Sequence, residues 1–375
     1  MARDLQDIDI FRDFYGASLK RLTKRAAAFN DHLMKEEHPL LVPFMEDFAD
    51  LNTGGKMLRG MLVNLGYRLA GNDDIQYSDA LSIAFELFQT GVLIHDDVID
   101  NASLRRGKMT AHLREKERIE ARNIRTEDMG GSSDSLGRST AICLGDLGLY
   151  YANLELAEKY GDDPNFASLI TYFDKVILET IRGELLDVVL PYEMQDPTMT
   201  ESEKDALLMR TVKDIYYLKT AHYTIIGPLG LGLRLGGADK KLIAAMEKYG
   251  KYVGIAFQIK DDILGIYADE ATLGKNVGSD ISEFKQTILY QYVCTEQKDY
   301  MEELLAHYGK ADLTAEDIEA VRDIFRKSGA LDYATEAMEH YYAKARKTVA
   351  SLSSLTYEDR AILRGFVDYC SQRTY

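Results

Sequence analysis

Residues 79–100 read DALSIAFELFQTGVLIHDDVID, and this stretch decides the fold class. Its apolar residues recur every three to four positions, at Leu81, Phe85, Phe88, Val92 and Ile99, which is the spacing of a helix face and not of a strand. The windows 209–226 and 249–263 repeat this spacing. The six prolines leave residues 44–163 and everything after 228 free of proline. Because proline breaks helix interiors, the sequence predicts an all-α protein, a single-domain helical bundle.

The composition limits the classes of function that are open to this chain. Its 375 residues carry 45 Lys and Arg against 61 Asp and Glu, a net charge of −16. This acidic balance argues against nucleic-acid and anionic-membrane partners, and no apolar run reaches the roughly 20 residues of a membrane span. Three scattered cysteines favour neither a disulfide framework nor a zinc site. With no signal peptide visible, we expect a cytoplasmic protein.

The chain shows no linker between independent folds, so we predict one domain over residues 1–375. Its loop signals are short, as between packed helices. The exception is the charged stretch 113–139, which breaks at Gly130 and Gly131 and which we expect to form an exposed excursion. After about residue 295 the sequence is amphipathic helix with no recognisable chemistry.

Two aspartate pairs, Asp96-Asp97 and Asp261-Asp262, lie in matching apolar helical surroundings. Asp96 and Asp100 are four residues apart and therefore share a helix face. Carboxylates this close repel unless a cation lies between them, and such hard oxygen ligands suit Mg²⁺. On a facing helix, Asp261 would supply a third ligand. Taken alone, the first pair is equally well explained as a helix cap or a solvated acidic turn.

Basic residues occur at loop and helix-start positions around these acids. Lys56 and Arg59 follow a glycine turn, a context that favours anion binding at a helix start. Lys219 lies in an otherwise apolar helix, where a lysine without a partner is costly. We predict two diphosphate-sized sites. One is metal-free, with Lys56, Arg59 and Arg106, and the other combines Mg²⁺ with Arg105, Lys219 and Lys275.

Seven motifs follow one another between about residues 50 and 290. They are Gly-Gly-Lys-Met-Leu-Arg (54–59), Asp-Asp-Val-Ile-Asp (96–100) with Arg-Arg-Gly (105–107), Leu-Gly-Asp (144–146), Gly-Glu-Leu-Leu-Asp (183–187), Lys-Thr-Ala-His-Tyr (219–223), Phe-Gln-Ile-Lys-Asp-Asp (257–262) and Gly-Lys-Asn-Val-Gly-Ser-Asp (274–280). In this order they resemble the trans-isoprenyl diphosphate synthases of the polyprenyl synthetase family. The resemblance implies an all-α fold around a deep central cavity, usually as a homodimer.

The resemblance also implies roles for individual residues. Three Mg²⁺ ions would be held by Asp96, Asp100 and Asp261, with Asp97, Asp187 and Asp262 behind them. Isopentenyl diphosphate would be bound by Lys56, Arg59, Gln89 and Arg106. The allylic diphosphate would be bound by Arg105, Lys219, Thr220, Gln258, Lys275 and Lys285, of which Arg105 and Lys219 would assist the leaving group together with the metal-binding aspartates.

Three positions depart from the family pattern. Gly60 stands where proline is usual, which we do not expect to matter. Gly265 stands in place of a third aspartate, so no metal ligand is expected there. Glu184 stands where many members have glutamine, which leaves a metal-linked hydrogen bond in doubt.

The implied reaction is the head-to-tail condensation of isopentenyl diphosphate with an allylic diphosphate. Gly91 and Val92 are too small to stop a growing chain. Phe88, about 12 Å below Asp96 at roughly 1.5 Å per residue, is the next large side chain. We therefore predict geranylgeranyl diphosphate (C20), with longer products as an alternative. In the competing interpretation, Phe88 is an ordinary core residue, and side chains of another helix form the floor, which is the closed end of the pocket for the growing chain.

Other classes of protein share part of this pattern. A class I terpene cyclase also uses an aspartate-rich helix and Mg²⁺, but Gly265 and Asp269 do not fit its second metal motif and it has no use for a metal-free basic site. A head-to-head synthase would lack the isopentenyl diphosphate residues. A catalytically silent synthase subunit should have lost one aspartate motif. A di-iron bundle needs Glu-x-x-His, which none of the seven histidines provides.

Overall fold

The computed structural model describes residues 6–35, 38–53, 55–268, 278–310 and 312–372. Within these ranges the prediction of an all-α protein is confirmed, since the strands form only a short hairpin, Leu104–Arg105 (β1) with Lys108–Met109 (β2). The first seven helices are α1 Asp7–Leu33, α2 Val42–Thr53, α3 Leu58–Leu69, α4 Asp79–Ile99, α5 Ala111–Ala121, α6 Ser133–Tyr160 and α7 Phe166–Glu193. The others are α8 Glu201–Ile215, α9 Gly227–Leu235, α10 Lys240–Tyr267, α11 Ser279–Ser282, α12 Ile288–Glu296, α13 Met301–Leu305, α14 Ala315–Lys327, α15 Ala330–Ala350 and α16 Tyr357–Gln372.

Helix α4 is the central helix of the first half of the chain. Its apolar residues are buried over most of its length, as the periodicity predicts. It packs closely on α6 because both helices present glycine at the contact. A Cβ placed on Gly91 would lie 2.5 Å from the carbonyl oxygen of Gly145, and one on Gly148 would lie 2.7 Å from the Cα of Gly91. This close packing fixes the direction of α4 and of the aspartates at its end.

A π-helical segment, Tyr216–Ile226, joins α8 to α9 without a break. Its i→i+5 hydrogen bonds rotate the side chains relative to a regular α-helix, and such geometry is frequent at functional sites. Glycines on the two adjacent helices, α7 and α10, make room for it. A Cβ on Gly183 of α7 would lie 2.4 Å from the backbone nitrogen of Lys219, and one on Gly254 of α10 would lie 2.4 Å from the Ala221 Cα. The segment therefore holds Lys219 at a fixed depth between α7 and α10.

The core has two apolar clusters that meet at this segment. One is built around α4, α6 and α7 and includes Tyr223, whereas the other surrounds α10 and the C-terminal helices and includes Ile225. The active-site candidates lie where the two clusters adjoin. Within the part of the chain that the structure describes, no helix combines the length and apolar character needed to cross a bilayer.

The stretch 113–139, which we expected to form an exposed excursion, is exposed over most of 120–132 but begins in a helix that packs on α2. It contains most of α5, a short 3₁₀ turn and the start of α6, and Ile119 is buried. Its charges are paired across helices: Arg114 Nη1 lies 3.0 Å and Arg118 Nη2 2.5 Å from the carboxylate of Asp47 on α2. The charge that suggested a solvated segment therefore anchors α5 to α2.

The first and last helices pack against each other. The rings of Phe11 and Phe366 have centroids 5.5 Å apart, and Arg364 binds Asp7 with both oxygens in reach. Tyr369 of α16 lies against Tyr15 of α1, with ring centroids 5.8 Å apart. This terminal clasp, formed by α1 and α16, reaches the site through Tyr15.

Candidate active site

The first aspartate motif lies at the end of α4, next to the hairpin that follows it. Arg105 of β1 donates through Nε to Asp97 Oδ1 at 2.8 Å, and its Nη2 lies 3.2 Å from Asp96 Oδ2. Burial lowers the pKa of Arg105, but the charges of Asp97 and Asp96 outweigh it and raise the pKa above its usual range. Arg105 is therefore a permanent cation beside the motif.

Lys219 extends from the π-helical segment to carboxylates on two other helices. Its Nζ lies 2.5 Å from Asp187, 2.8 Å from Glu184 and 3.6 Å from Asp96. One ammonium group cannot neutralise three carboxylates. Burial, together with the negative charge of Asp96, raises the pKa of the Glu184 carboxyl group to about 7. Lys219 itself keeps its proton, since burial is outweighed by Asp96 and Asp187, which raise its pKa.

Lys285 is the third cation on this side. Its Nζ lies 3.3 Å from Asp100, 3.0 Å from Glu283 and 3.9 Å from Asp280. It thus joins the segment after α11 to the end of α4, on the side of the site where the resemblance places the allylic diphosphate. Lys275 lies outside the described residues.

The second aspartate motif is tied to the π-helical segment by a chain of hydrogen bonds. Thr220 donates to Gln258 Oε1 at 2.5 Å, and Gln258 Nε2 donates to Asp262 at 2.7 Å. Asp262 also accepts from the Tyr216 hydroxyl. Burial raises the pKa of Asp262 to about 7. Asp261 precedes it on α10 and is partly exposed.

The predicted metal ligands do not form a closed metal site, but their chemistry fits a hard divalent cation. No group of three His, Cys, Asp or Glu side chains within the described ranges is arranged to hold a metal ion. Arg105, Lys219 and Lys285 lie against the carboxylates instead. The Glu184 Oε1 atom is buried without a hydrogen-bond partner, and burial together with the neighbouring Asp96 raises the pKa of this carboxyl group, so the cluster has more negative charge than its cations satisfy.

A cleft of about 470 Å³ opens beside this cluster. Asp100, Glu184, Asp187 and Lys285 form its charged side. Ile99, Val188 and Tyr192 form an apolar side. A ligand with a charged head and an apolar tail matches this division.

A second basic group lies near the start of α3. The Arg106 guanidinium packs on Gly55, where a Cβ would lie 3.0 Å from Arg106 Nη2. Arg59 lies 3.9 Å above the Tyr223 ring and donates to Thr224 Oγ1 at 2.7 Å. The carbonyl of Lys56 accepts from the Tyr15 hydroxyl at 2.7 Å. The structure therefore brings Lys56, Arg59 and Arg106 into one region, as predicted, and Gln89 lies half-buried on α4, two turns before Asp96.

Sequence reasoning missed a buried carboxylate beneath this group. Glu86 is 5% exposed and accepts a hydrogen bond from the Gly60 nitrogen at 2.7 Å. A proline at position 60 would have no N–H to donate, so Gly60 makes a hydrogen bond that the usual family residue cannot make. The available signal was Glu86 itself, since a glutamate in an apolar helix needs a partner. Tyr223 and Thr224, which hold Arg59, were missed because their contacts depend on the π-helical geometry.

Of the three chain-length candidates, Phe88 and Val92 lie on one side of α4 and Gly91 lies on another. Phe88 is fully buried, with its ring centroid 5.8 Å from Phe173 of α7 and 5.5 Å from Tyr223. Val92 is partly buried and packs against the same cluster. Gly91 faces α6, so its small size is required by helix packing. Phe88, Phe173 and Tyr223 thus form an aromatic cluster below the motif.

The charged cluster, the separate basic group and the cleft with one apolar side fit an enzyme that acts on apolar diphosphates. The polyprenyl synthetase family model matches residues 42–325, and the chain belongs to this family. It is therefore a prenyltransferase. This result confirms the family that the motif order predicts.

Known relatives agree with this assignment. A short chain isoprenyl diphosphate synthase of Methanothermobacter thermautotrophicus is 31% identical over 325 residues, which cover 84% of this chain and 87% of the relative. A geranylgeranyl diphosphate synthase of Methanosarcina mazei is 26% identical over 326 residues, 87% of this chain and 88% of the relative. The crystal structure of a geranylgeranyl pyrophosphate synthase of Corynebacterium glutamicum, complexed with isoprenyl diphosphate and magnesium, superposes with a TM-score of 0.83 at 26% identity and covers 96% of this chain and 98% of its own. Together they support prenyl chain elongation.

Proposed function

We propose that the chain condenses isopentenyl diphosphate head-to-tail with an allylic diphosphate in a Mg²⁺-dependent reaction, and that its main product is geranylgeranyl diphosphate (C20). The observation that carries this proposal is the pair of separate cationic groups. One group lies against a carboxylate cluster that has excess negative charge. The other lies around Gly55 and Tyr223. Two diphosphates, only one of them metal-bound, fit this arrangement.

The carboxylate side binds the allylic substrate. We assign three Mg²⁺ ions to Asp96, Asp100 and Asp261, with Asp97, Asp187 and Asp262 orienting them. When bound, the metal supplies charge stabilisation for the departing pyrophosphate. Arg105, Lys219 and Lys285 contact the diphosphate oxygens, Thr220 and Gln258 complete the site, and Lys275 belongs to it by its motif.

The other side orients isopentenyl diphosphate through Lys56, Arg59, Arg106 and Gln89. The C–O bond of the allylic diphosphate breaks and its electron pair leaves with pyrophosphate. The isopentenyl double bond attacks the allylic carbon, and a proton passes to the released pyrophosphate. Buried aromatic side chains such as Phe88 and Tyr223 exclude water that would quench the cation.

We further infer that two copies assemble through the outer faces of α6 and α7. Ten of the eighteen large apolar side chains that are exposed in the described chain lie on these two helices. On α7, Leu178, Ile181 and Leu185 follow one face, which ends before the cleft residues Val188 and Tyr192. A second copy covers such a face with its own equivalent face. Residues outside the family match pack onto the same body through α1, α15 and α16, which supports the proposal of one domain over 1–375. We infer a cytoplasmic location from the sequence alone.

Product analysis tests the proposed reaction. Purified protein is incubated with Mg²⁺, isopentenyl diphosphate and each allylic primer, and the products are sized. We expect C20 product, and a decrease in turnover of at least about a hundredfold in Asp96→Ala and in Asp261→Ala. Asp9→Asn, on the exposed side of α1, is the control that keeps normal turnover. Near-normal turnover in either aspartate variant at saturating Mg²⁺ would refute the metal assignment, and hydrocarbon formed without isopentenyl diphosphate would indicate a cyclase.

A further inference from the structure

Glu86 is a buried acid at the centre of the metal-free basic group. It lies on α4, and its Oε1 accepts the Gly60 N–H in the first turn of α3. The first N–H groups of a helix have no partner within the helix and attract negative charge. A substrate diphosphate is attracted to the same partial charge. The Glu86 carboxylate therefore already occupies the anion-binding end of α3.

The two arginines of this group are held by partners other than Glu86. Arg59 stacks on Tyr223 and donates to Thr224, whereas Arg106 donates to the Leu51 carbonyl at 3.1 Å. Their relation to Glu86 is electrostatic: burial raises the pKa of this carboxyl, and Gly60, Arg59 and Arg106 oppose the shift. The buried Arg59 Nε has no hydrogen-bond partner and remains available as a donor. Glu86 thus adds a negative charge beside two guanidinium groups whose own hydrogen-bond and stacking partners are other residues.

In the condensation reaction, the charge of the Glu86 carboxylate affects how tightly the product is held. Pyrophosphate leaves from the allylic substrate, so the diphosphate of the isopentenyl substrate stays on the elongated product. That product must leave the metal-free site before another isopentenyl diphosphate can bind. A site with three uncompensated cations would hold the product strongly.

We propose that Glu86 is a positioning residue that acts through Arg59 and Arg106, weakening diphosphate binding at the metal-free site so that the elongated product is released. This inference rests on the proposed function for its role in turnover. Its binding component stands independently, because it concerns the affinity of the folded protein for a diphosphate.

The test titrates inorganic pyrophosphate into wild type and Glu86→Gln by calorimetry, with EDTA present so that the metal site is not populated. Glutamine keeps an oxygen that accepts the Gly60 N–H and removes only the charge. We expect about three- to tenfold tighter binding, equivalent to about 0.7–1.4 kcal/mol. In steady-state assays, KM for isopentenyl diphosphate and kcat should both decrease. The thermal unfolding midpoint of Glu86→Gln should stay unchanged or rise. If Glu86 served only to cap α3, this variant would be less stable than wild type.

Matched variants separate charge from other effects. Glu86→Asp keeps the charge and should bind pyrophosphate like wild type, and Glu86→Ala should bind more tightly even if it is less stable. Asp79→Asn makes the same chemical change two turns earlier on α4, at a carboxylate paired with Arg21, and should leave the affinity unchanged. Lys56→Gln should weaken binding, which locates the titrated site.

Equal or weaker pyrophosphate binding in both Glu86→Gln and Glu86→Ala overturns the inference, as does equal tightening in Asp79→Asn. These titrations need no turnover. If wild type forms no prenyl product, the proposed function fails whatever the titrations show. If wild type elongates normally and Glu86→Gln binds pyrophosphate like wild type, only the role of Glu86 fails.

Discussion

At the scale of single residues, Glu184 makes stability depend on pH. Burial and the neighbouring Asp96 raise its pKa in the folded protein to about 7, against about 4.5 when unfolded. A raised carboxyl pKa stabilises the folded state while the group is protonated, so this contribution is complete below pH 4.5 and is lost as the pH rises to 7. In EDTA, the free energy of unfolding of wild type should fall by about 3 kcal/mol between pH 4.5 and 7 because of this group. Glu184→Gln should not show this decrease.

Denaturant unfolding at a series of pH values measures this effect as the difference between Glu184→Gln and wild type. The same substitution at exposed Glu193 is the control and should give a difference that does not change with pH. If the Glu184→Gln difference is also constant from pH 4.5 to 7, the carboxyl group does not titrate as the structure indicates.

Phe88 is the residue that we expect to set product length. Its ring lies between α7 and the π-helical segment, below the aspartates. Phe88→Leu should shift products beyond C20 because a smaller side chain opens the floor. It should also lower the free energy of unfolding, by less than the roughly 3–5 kcal/mol that truncating a buried phenylalanine to alanine costs. Chromatographic sizing of the products measures the shift.

Phe85→Leu is the matched control, since Phe85 is equally buried and also contacts Phe173. It should lose similar stability and keep the wild-type product. An unchanged distribution in Phe88→Leu would assign the floor to another helix.

The sequence predicted the charged residues of the site better than their partners. Lys219 was predicted at the site because a charged group inside an apolar helix needs a partner, and the structure places it beside Asp96. Lys285 was implied only by the motif order, and it contacts Asp100. That Lys219 faces Glu184 as well as Asp96 depends on the relative placement of α4, α7 and the π-helical segment, which local spacing does not specify. The bond from Gly60 to Glu86 was missed for the same reason, because it joins two helices.

At the scale of elements, the π-helical segment depends on a glycine in the adjacent helix. Gly183→Ala should displace Lys219, because the added Cβ would lie 2.4 Å from its backbone nitrogen and 2.8 Å from its Cα. We expect kcat to fall at least tenfold, since the cation no longer reaches the diphosphate. Steady-state kinetics with saturating substrates measures this, and circular dichroism checks the helix content.

Gly16→Ala on α1 is the control, because a Cβ there meets nothing within 4 Å. It should keep full activity and gain roughly 0.5–1 kcal/mol of stability from the better helix propensity of alanine. Wild-type kcat in Gly183→Ala would show that the segment adjusts to the extra methyl group without moving Lys219.

Elements were predictable where apolar spacing is regular and were not where hydrogen bonding changes pattern. α4 follows its period of three to four residues from Asp79 onward. The π-helical segment has the same kind of apolar composition, so a period of 3.6 residues does not distinguish it from α-helix. α5 lies mostly in the stretch 113–139, and its arginines bind Asp47 on α2, a contact between helices that local spacing does not specify.

At the scale of the whole molecule, the apolar face of α7 should control assembly. Leu178→Asp combined with Leu185→Asp places two charges among exposed apolar residues, which a second copy cannot cover without a large desolvation cost. Sedimentation velocity should show a particle of twice 42.4 kDa for wild type and 42.4 kDa for the double variant.

Leu305→Asp on α13 is the control, since Leu305 is similarly exposed but lies away from this face. It should sediment like wild type. A double variant that still sediments as a dimer would place the interface elsewhere.

The terminal clasp has a consequence for the order in which the site matures during synthesis. Asp96, Lys219 and Asp262 all leave the ribosome before α16, so the carboxylate side has its residues early. Tyr15, which holds the Lys56 carbonyl, gains its partner Tyr369 only when the last helix emerges. Contacts between residues this far apart in sequence form late. A nascent chain stalled before α16 therefore carries the residues of the carboxylate side. In the metal-free site of the same chain, Tyr15 holds the Lys56 carbonyl without its own partner Tyr369.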